Sequence, residues 1–463
     1  MGNFLAFAAL ALFLPFAILV LALSRSRPAF PATALLIGGY MFLPERVAFD
    51  FPGLPVLGKE SIINLSIVVG LLVTRPRVVA SARPGTGLEL LAVILIAASV
   101  ATVLSNRDPL FYGPVSLPPL RLADLPTAAL SDLISFGLPF LLGRCAIRDS
   151  RDLRSLMIVL AVAGLVYSLP IFLEIRLSPQ LQWWIYGVPI DMFDSTWRFG
   201  GFRPIVFMGG GLHLTMFMAT TVLAACALAR AGIPLATPLI PIPPLLVSVY
   251  LILVFIACRS LGALLLCLPL ALAIYFLPLR ALNALAASLI CLFLLYPLLR
   301  VVDAIPVDAI VSAFAEISED RSESLAGRLR SEGLMLEKAL ERLPFGWGSY
   351  QRSWVFDPVT GEELIAPDGF WIVTLTSRGV IGFAATFGML TLPVLMAARR
   401  LARVPDARTR VLMIGVMLAI TMRTIDYLPN GWFGGLVPLY LAGGLQQLQR
   451  SLAPRRGAHS RPT

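Results

Sequence analysis

Long apolar runs alternate with short polar connections along almost the whole chain. The runs fall at about 3–24, 29–43, 61–74, 87–104, 127–143, 155–174, 205–228, 239–258, 260–278, 281–299, 370–397, 411–426 and 432–448. A helix of about 20 apolar residues crosses the roughly 30 Å hydrocarbon core of a bilayer. The second, third and last two runs are short or interrupted enough to be re-entrant, so about 12–13 transmembrane helices are expected. From Leu239 to Leu279 only Arg259 and Ser260 interrupt the apolar run. One helix over about forty residues would be roughly 60 Å long, twice the hydrocarbon thickness. The chain must therefore turn back near Arg259, which puts that arginine at a membrane face. The first run has no basic leader and is followed by Ser24-Arg25-Ser26-Arg27, so it reads as a retained span.

One connection, 300–369, differs from the rest. It holds about half of the chain's acids, together with Arg321, Arg328, Arg330, Lys338, Arg342 and Arg352. Asp320-Arg-Ser-Glu323 has the spacing of a capping box. Leu325, Leu329, Leu336, Leu340 and Leu343 follow at helical spacing, with Arg328, Arg330, Glu332, Glu337, Lys338 and Glu341 on the other faces. This predicts an amphipathic helix on the bilayer or on the bundle, ended by Pro344 and Gly346. The expected organisation is a transmembrane bundle over 1–299 with an outer loop at 176–204, a large loop at 300–369, C-terminal transmembrane helices over 370–448 and a basic tail over 449–463. The fold class is all-α, polytopic, membrane-embedded.

Composition agrees. Hydrophobic residues make up 58% and charged residues 14%, and mean hydropathy is +0.84. No soluble core needs that much apolar surface. The net charge of +10 is nearly all arginine, since Lys59 and Lys338 are the only lysines. The arginines cluster in every second connection, as the positive-inside rule requires, and mark no nucleic-acid surface. By that rule the connections at 25–27, 75–83, 144–154, 230, 280 and 399–410 and the tail are cytoplasmic, and the N-terminus and the 300–369 loop are outside. The five cysteines form no CxxC pair and lie in or beside apolar runs, where they read as buried apolar residues; His213 and His459 are the only histidines. No disulfide, metal or cofactor is expected. No internal repeat pairs Gly/Pro-broken spans, which weighs against a transporter.

Arg203, Arg259 and Asp368 run against the charge bias of the outer side. Arg203 stands in Gly200-Gly-Phe-Arg203-Pro204, after a loop with Trp183, Trp184, Asp191, Asp194, Trp197 and Arg198. Gly209-Gly210-Gly211 follows, a run that also suits close helix packing. Asp368 begins the re-entry segment Asp368-Gly-Phe-Trp, as an acid–base group or as a solvated helix cap; Asp357 and Glu363 are weaker choices of base. Arg378 lies inside the next span, where it must pair or line a cavity. Trp347, Tyr350, Trp354 and Phe356 suit stacking on sugars and equally an aromatic belt. Arg203, Arg259 and Arg328, with Arg378, are candidates to converge at the outer boundary. Guanidinium forks match phosphate oxygens there.

Four segments carry a resemblance. They are Gly201-Phe-Arg203-Pro204 before a glycine-rich span, Arg259-Ser260 between two spans, Gly327-Arg328 leading into Pro344-Phe-Gly-Trp-Gly348, and Asp368-Gly-Phe-Trp with Arg378-Gly-Val-Ile-Gly382 after it. Over roughly residues 150–400 the chain resembles the O-antigen ligase and O-antigen polymerase superfamily of bacterial envelopes. The resemblance implies a metal-independent, inverting, GT-C-like glycosyltransferase of the inner membrane. Such an enzyme moves a glycan from undecaprenyl pyrophosphate to an acceptor hydroxyl on the periplasmic side. Carried over, Arg203, Arg259 and Arg328 hold the pyrophosphate and Asp368 orients or deprotonates the acceptor. Arg378, Trp347, Tyr350 and Arg198 would contact substrate. Asp368 stands where ligases typically carry a histidine, so the expected activity is a polymerase of lipid-linked repeat units making O-antigen or exopolysaccharide. A ligase acting on lipid A-core is the alternative. Implied partners are the lipid-linked donor, a lipid-linked or lipid A-core acceptor, membrane lipid and a chain-length regulator protein. A flippase of lipid-linked sugars, gripping pyrophosphate with the same arginines, is the alternative of another class.

Overall fold

The computed structural model describes residues 2–80, 87–191, 193–236, 241–316, 319–431 and 434–452. Over the described residues each apolar run is mostly helix. In chain order these are α1 (Phe4–Leu23), α2 (Ala29–Phe42), α3 (Lys59–Thr74), the short α4 (Pro76–Ala80), α5 (Glu89–Ser105), then α6 (Asp124–Asp132) and α7 (Leu138–Ala146) joined by a π-helical turn at Leu133–Gly137. Next come α8 (Ser150–Leu177), the short α9 (Leu181–Tyr186), α10 (Gly211–Arg230), α11 (Pro244–Ala257), α12 (Leu261–Phe276) and α13 (Leu279–Val301). The large loop forms α14 (Val307–Ala315) and α15 (Glu319–Glu341), and α16 (Phe370–Arg400), α17 (Ala407–Asp426) and α18 (Leu436–Leu452) complete the bundle. Among the described residues, six helical stretches are long and apolar enough to cross a membrane: α1, α6–α7, α8, α10, α13 and α16. The helices α2, α5, α11 and α12 are apolar but shorter, at 10–17 residues. The chain is a helical membrane protein.

The most enclosed of these stretches is α10, wrapped by α8, α11, α12 and α17. Small residues set the closest approaches. A methyl at Gly143 of α7 would lie 1.9 Å from the Tyr440 carbonyl of α18, and one at Gly443 of α18 would lie 1.9 Å from the Phe140 carbonyl. Reciprocal glycines let two helix backbones touch where lipid supplies no hydrophobic drive.

The connections sort into two sets, each held together by its own contacts. In one set Arg27 pairs with Asp149, Arg75 donates to Ser26 O and Arg148 to Val78 O. Arg230 there donates to Leu277 O and Asn283 to Ala398 O. In the other set Asn3 meets Tyr186, Arg46 pairs with Asp191, Arg259 donates to Phe199 O, and Arg342 pairs with Asp108. The arginine-rich connections of the sequence form the first set, and the large loop belongs to the second. The break expected near Arg259 is there: α11 ends at Ala257, α12 starts at Leu261, and Arg259 has φ +55°.

The capping box read at Asp320–Glu323 falls at the described start of α15, and residues 317–318 before it lie outside the described residues. One expectation about the large loop is corrected. The buried face of α15 carries Met335, Leu336 and Ala339 but also Glu332 and Lys338, whereas Leu340 and Leu343 are exposed. The polar pair turns inward because partners wait there. Glu332 takes Arg300 Nε at 2.5 Å, Tyr296 OH at 2.9 Å and Trp371 Nε1 at 3.2 Å. Lys338 donates to the Trp354 carbonyl and to Tyr112 OH. Burial pushes the Lys338 ammonium down, to about 8. Among the cysteines, Cys291 is exposed on α13 rather than buried.

The helix α16 is broken at Gly379, which holds φ +65° and ψ −176°, a conformation open only to glycine. The break frees backbone groups that the 343–348 loop satisfies. Trp347 N donates to Thr376 O and Gly348 N to Ser377 O, both at 2.9 Å, while Val380 N donates to Leu343 O at 2.7 Å. Non-helical backbone is tolerated at membrane depth only where protein covers it or a cavity lies beside it.

Candidate functional site

Arg203 and Arg259 are brought together by a two-residue hairpin, Trp197–Arg198 paired with Gly201–Phe202. Its tip, Phe199-Gly200, has φ +51° and +73°. The Arg259 guanidinium donates through Nη1 to Arg198 O at 3.0 Å and Phe199 O at 2.9 Å. It lies flat against Gly201, where a methyl would sit 2.2 Å from Nη1. Arg203 donates to Ser260 Oγ at 3.1 Å, and a methyl at Gly211 would sit 2.5 Å from its Nε. Both glycines are therefore vacancies for arginine, not only helix-packing residues. Arg203 Nε is buried with no hydrogen-bond partner among the described residues. Burial, reinforced by the neighbouring Arg198 charge, pushes the Arg203 guanidinium down to about 10, so it stays cationic at neutral pH.

Arg203 opens on a hollow of about 410 Å³, lined also by Arg46, Asp191, Gly209–Gly211 and His213. The α10 N-terminus projects into it, and no side chain caps that helix. Unsatisfied amides and the helix dipole make such an end attractive to anions. The approach to the hollow is strained: Val206, a β-branched residue, has φ +56°. Glu174 of α8 holds it there, its Oε2 accepting from the amides of Ile205 at 2.8 Å and Val206 at 2.7 Å. A buried polar group adjoins Gly209 of the lining, where an added methyl would sit 3.6 Å from the Glu45 carboxylate. Lys59, 3% exposed, donates to Phe207 O at 2.6 Å and reaches Glu45 at 3.4 Å. His213 also lines the small adjoining cavity with Tyr40 and Arg423.

Arg328 is not part of this group. It pairs with Asp368 at 3.2 Å, both side chains partly exposed, and neither residue lines the Arg203 hollow. The expected convergence of Arg203, Arg259 and Arg328 therefore splits into two pairs, Arg203 with Arg259 and Arg328 with Asp368. The re-entry segment nonetheless touches the same polar network. The Phe370 amide donates to Asn430 O at 2.8 Å, Asn430 Nδ2 donates to Asp426 at 2.8 Å, and the Asp426 charge acts on Arg203. Asp357 accepts from the amides of Val359 and Thr360, which makes it a turn residue.

The remaining candidates also divide. Arg378 pairs with Asp132 at 2.5 Å and lines a second cavity with Tyr350. Trp347 is 7% exposed, with Lys338 and Arg342 packed against its ring, so it has no open face for a sugar. Arg198 lends its carbonyl to Arg259 and directs its own Nε to Ser195 O. Asp132, Arg46, Glu174 and His213 were not read from the sequence as site residues. Each is a lone polar residue in or beside an apolar run, and only Arg378's need for a counter-charge hinted at Asp132. No family model matches the chain, and no curated protein matches it.

Proposed function

We propose that this membrane protein is a glycosyltransferase that grips the diphosphate of a polyprenyl-linked glycan in the Arg203 hollow. The observation that carries the reading is the meeting of the Arg203 guanidinium, its buried Nε without a partner among the described residues, with the uncapped α10 N-terminus in one hollow, at whose edge Arg46 is paired with Asp191. In this reading the acceptor hydroxyl oxygen bonds to the anomeric carbon. The bond from that carbon to the diphosphate oxygen breaks, its electron pair leaves with the diphosphate, and configuration inverts. Charge grows on the leaving group, where fixed donors lower the barrier most. The hydroxyl proton passes to a carboxylate, for which the resemblance implies Asp368; in the structure Asp368 pairs with Arg328 and does not line the hollow. Arg259 is a positioning residue that ties the hairpin to Arg203. The face bearing the large loop is assigned to the periplasmic side of a bacterial inner membrane, and the product to a polymer of repeat units.

The test uses purified protein in vesicles with a polyprenyl-diphosphate glycan, reading product length on gels. Arg203→Ala should slow elongation by about 10²- to 10³-fold, with partial recovery in Arg203→Lys. Wild-type elongation by Arg203→Ala at equal protein would remove the reading. Translocation of labelled substrate without elongation would instead mark a flippase. In a deletion strain, accumulated single units indicate a polymerase and finished lipid-linked chains a ligase.

A further inference from the structure

The second cavity, of about 450 Å³, shares no lining residue with the Arg203 hollow. It opens where two helices lose regular structure, at the π turn after Asp132 and at the Gly379 break after Arg378. Both interruptions aim side chains at one space. Asp132 is 2% exposed, held by Arg378 Nη1 on one oxygen and by Ser99 Oγ on the other. The walls carry hydroxyls from Ser99, Thr127, Ser131, Ser349 and Ser377. At the mouth stand Asp124 and the 56%-exposed ring of Tyr350, whose hydroxyl lies beside the Asp124 carboxylate. Tyr350 and Gln351 hold consecutive positive φ values, +57° and +60°. The fully buried Arg352 fixes that strained turn by donating to Asp108 O and Pro118 O, both at 2.9 Å.

The chemistry of this lining selects a ligand class. Two carboxylates face one guanidinium, and that guanidinium is already paired, so a diphosphate would be repelled. Asp132, Ser99, Thr127 and Ser377 already bond within the protein, but an apolar chain would offer no partner to the Ser131 and Ser349 hydroxyls or to the Asp124 carboxylate at the mouth. A neutral polyol satisfies both requirements. Its hydroxyls donate to carboxylates and accept from serines, and its C–H face lies on an aromatic ring. We infer that the cavity between α5, α6 and the broken α16 is a binding site for an uncharged saccharide, separate from the anion hollow. Resting on the glycosyltransferase reading, it takes the acceptor glycan while the Arg203 hollow takes the donor diphosphate.

The experiment uses full-length protein in nanodiscs and two probes. One is the glycan freed from the host's lipid-linked pool by mild acid, which removes lipid and phosphate. The other is inorganic pyrophosphate. Binding is read by calorimetry. Tyr350→Ala and Asp124→Asn should each weaken glycan binding by about 10-fold and leave pyrophosphate unchanged, while Tyr350→Phe keeps the ring and binds the glycan. Arg203→Ala should weaken pyrophosphate alone. Unchanged glycan affinity in both Tyr350→Ala and Asp124→Asn overturns the inference, as does competition between the probes or no glycan binding by wild type. Glycan binding that depends on Tyr350, with pyrophosphate binding indifferent to Arg203, supports the saccharide site and removes the diphosphate reading instead.

Discussion

At residue scale, the two arginines that the sequence singled out are set by the glycines beside them. Gly201 leaves the space that the Arg259 guanidinium fills, and Gly211 does the same for Arg203. Gly201→Ala should displace Arg259 and free the hairpin tip. The expected outcome is a loss of activity comparable to Arg259→Ala, with thermal stability lowered by about 1–2 kcal/mol, read by paired activity and melting measurements. The motif was legible as arginine next to glycine, but its reason was not, because contact across about 60 residues leaves no local pattern. The two lysines carried a similar hidden message. In a chain whose cations are otherwise all arginine, both are buried. A compact ammonium fits between a few acceptors where a planar guanidinium does not. For Lys338 the sign is clear. Its folded value of about 8 lies below the ordinary 10.5, so between those values the unfolded chain binds the extra proton and stability rises with pH. The melting difference between wild type and Lys338→Met should move in favour of wild type as pH goes from 8 to 10.

At element scale, α15 was legible as an amphipathic helix but not which face it buries. Leucine spacing pointed to a stripe through Leu340 and Leu343. The structure instead turns Glu332 inward, because Arg300, Tyr296 and Trp371 from two neighbouring helices all need one carboxylate. Removing one partner of a buried pair leaves the other uncompensated. Glu332→Ala should therefore cost about 3–5 kcal/mol and detach α15, seen as rapid amide exchange over the 331–341 segment while α10 stays protected. Exchange unchanged in α15 would contradict that role. The break in α16 is the second element the sequence half disclosed, since Arg378-Gly379 and the 344–348 motif were both visible while their pairing was not. At Gly379 an added methyl would meet Phe345 N at 2.4 Å. Gly379→Ala should push the 343–348 loop off the break and weaken saccharide binding at the cavity that loop borders, read by calorimetry.

At the scale of the whole molecule, the apolar runs predicted the long apolar helices, because lipid forces backbone groups to pair within each segment. The alternation of arginine-rich connections predicts a two-set arrangement, and contacts such as Arg27 with Asp149 and Arg46 with Asp191 join connections within one set. It can be checked with single cysteines in a cysteine-free background. Thr360→Cys should react with an impermeant maleimide on intact cells, and Pro405→Cys only after permeabilisation. Labelling of both from the same side would refute the two-faced layout. What the runs did not contain was how side chains share space across the bundle. The separation of the Arg203 pair from the Arg328 pair, and the existence of a second cavity, depend on which helices adjoin and not on order along the chain.

The interruption of α16 also bears on how the protein is built. Its loose amides and carbonyls at Thr376–Ile381 are met by the 343–348 segment, which the ribosome makes first. Until that earlier strand is threaded across and waiting, the later helix would enter lipid with bare peptide groups, each costing several kcal/mol. The 343–348 segment and the helices that follow it are therefore expected to assemble together, with the order of synthesis supplying the template before the segment that needs it.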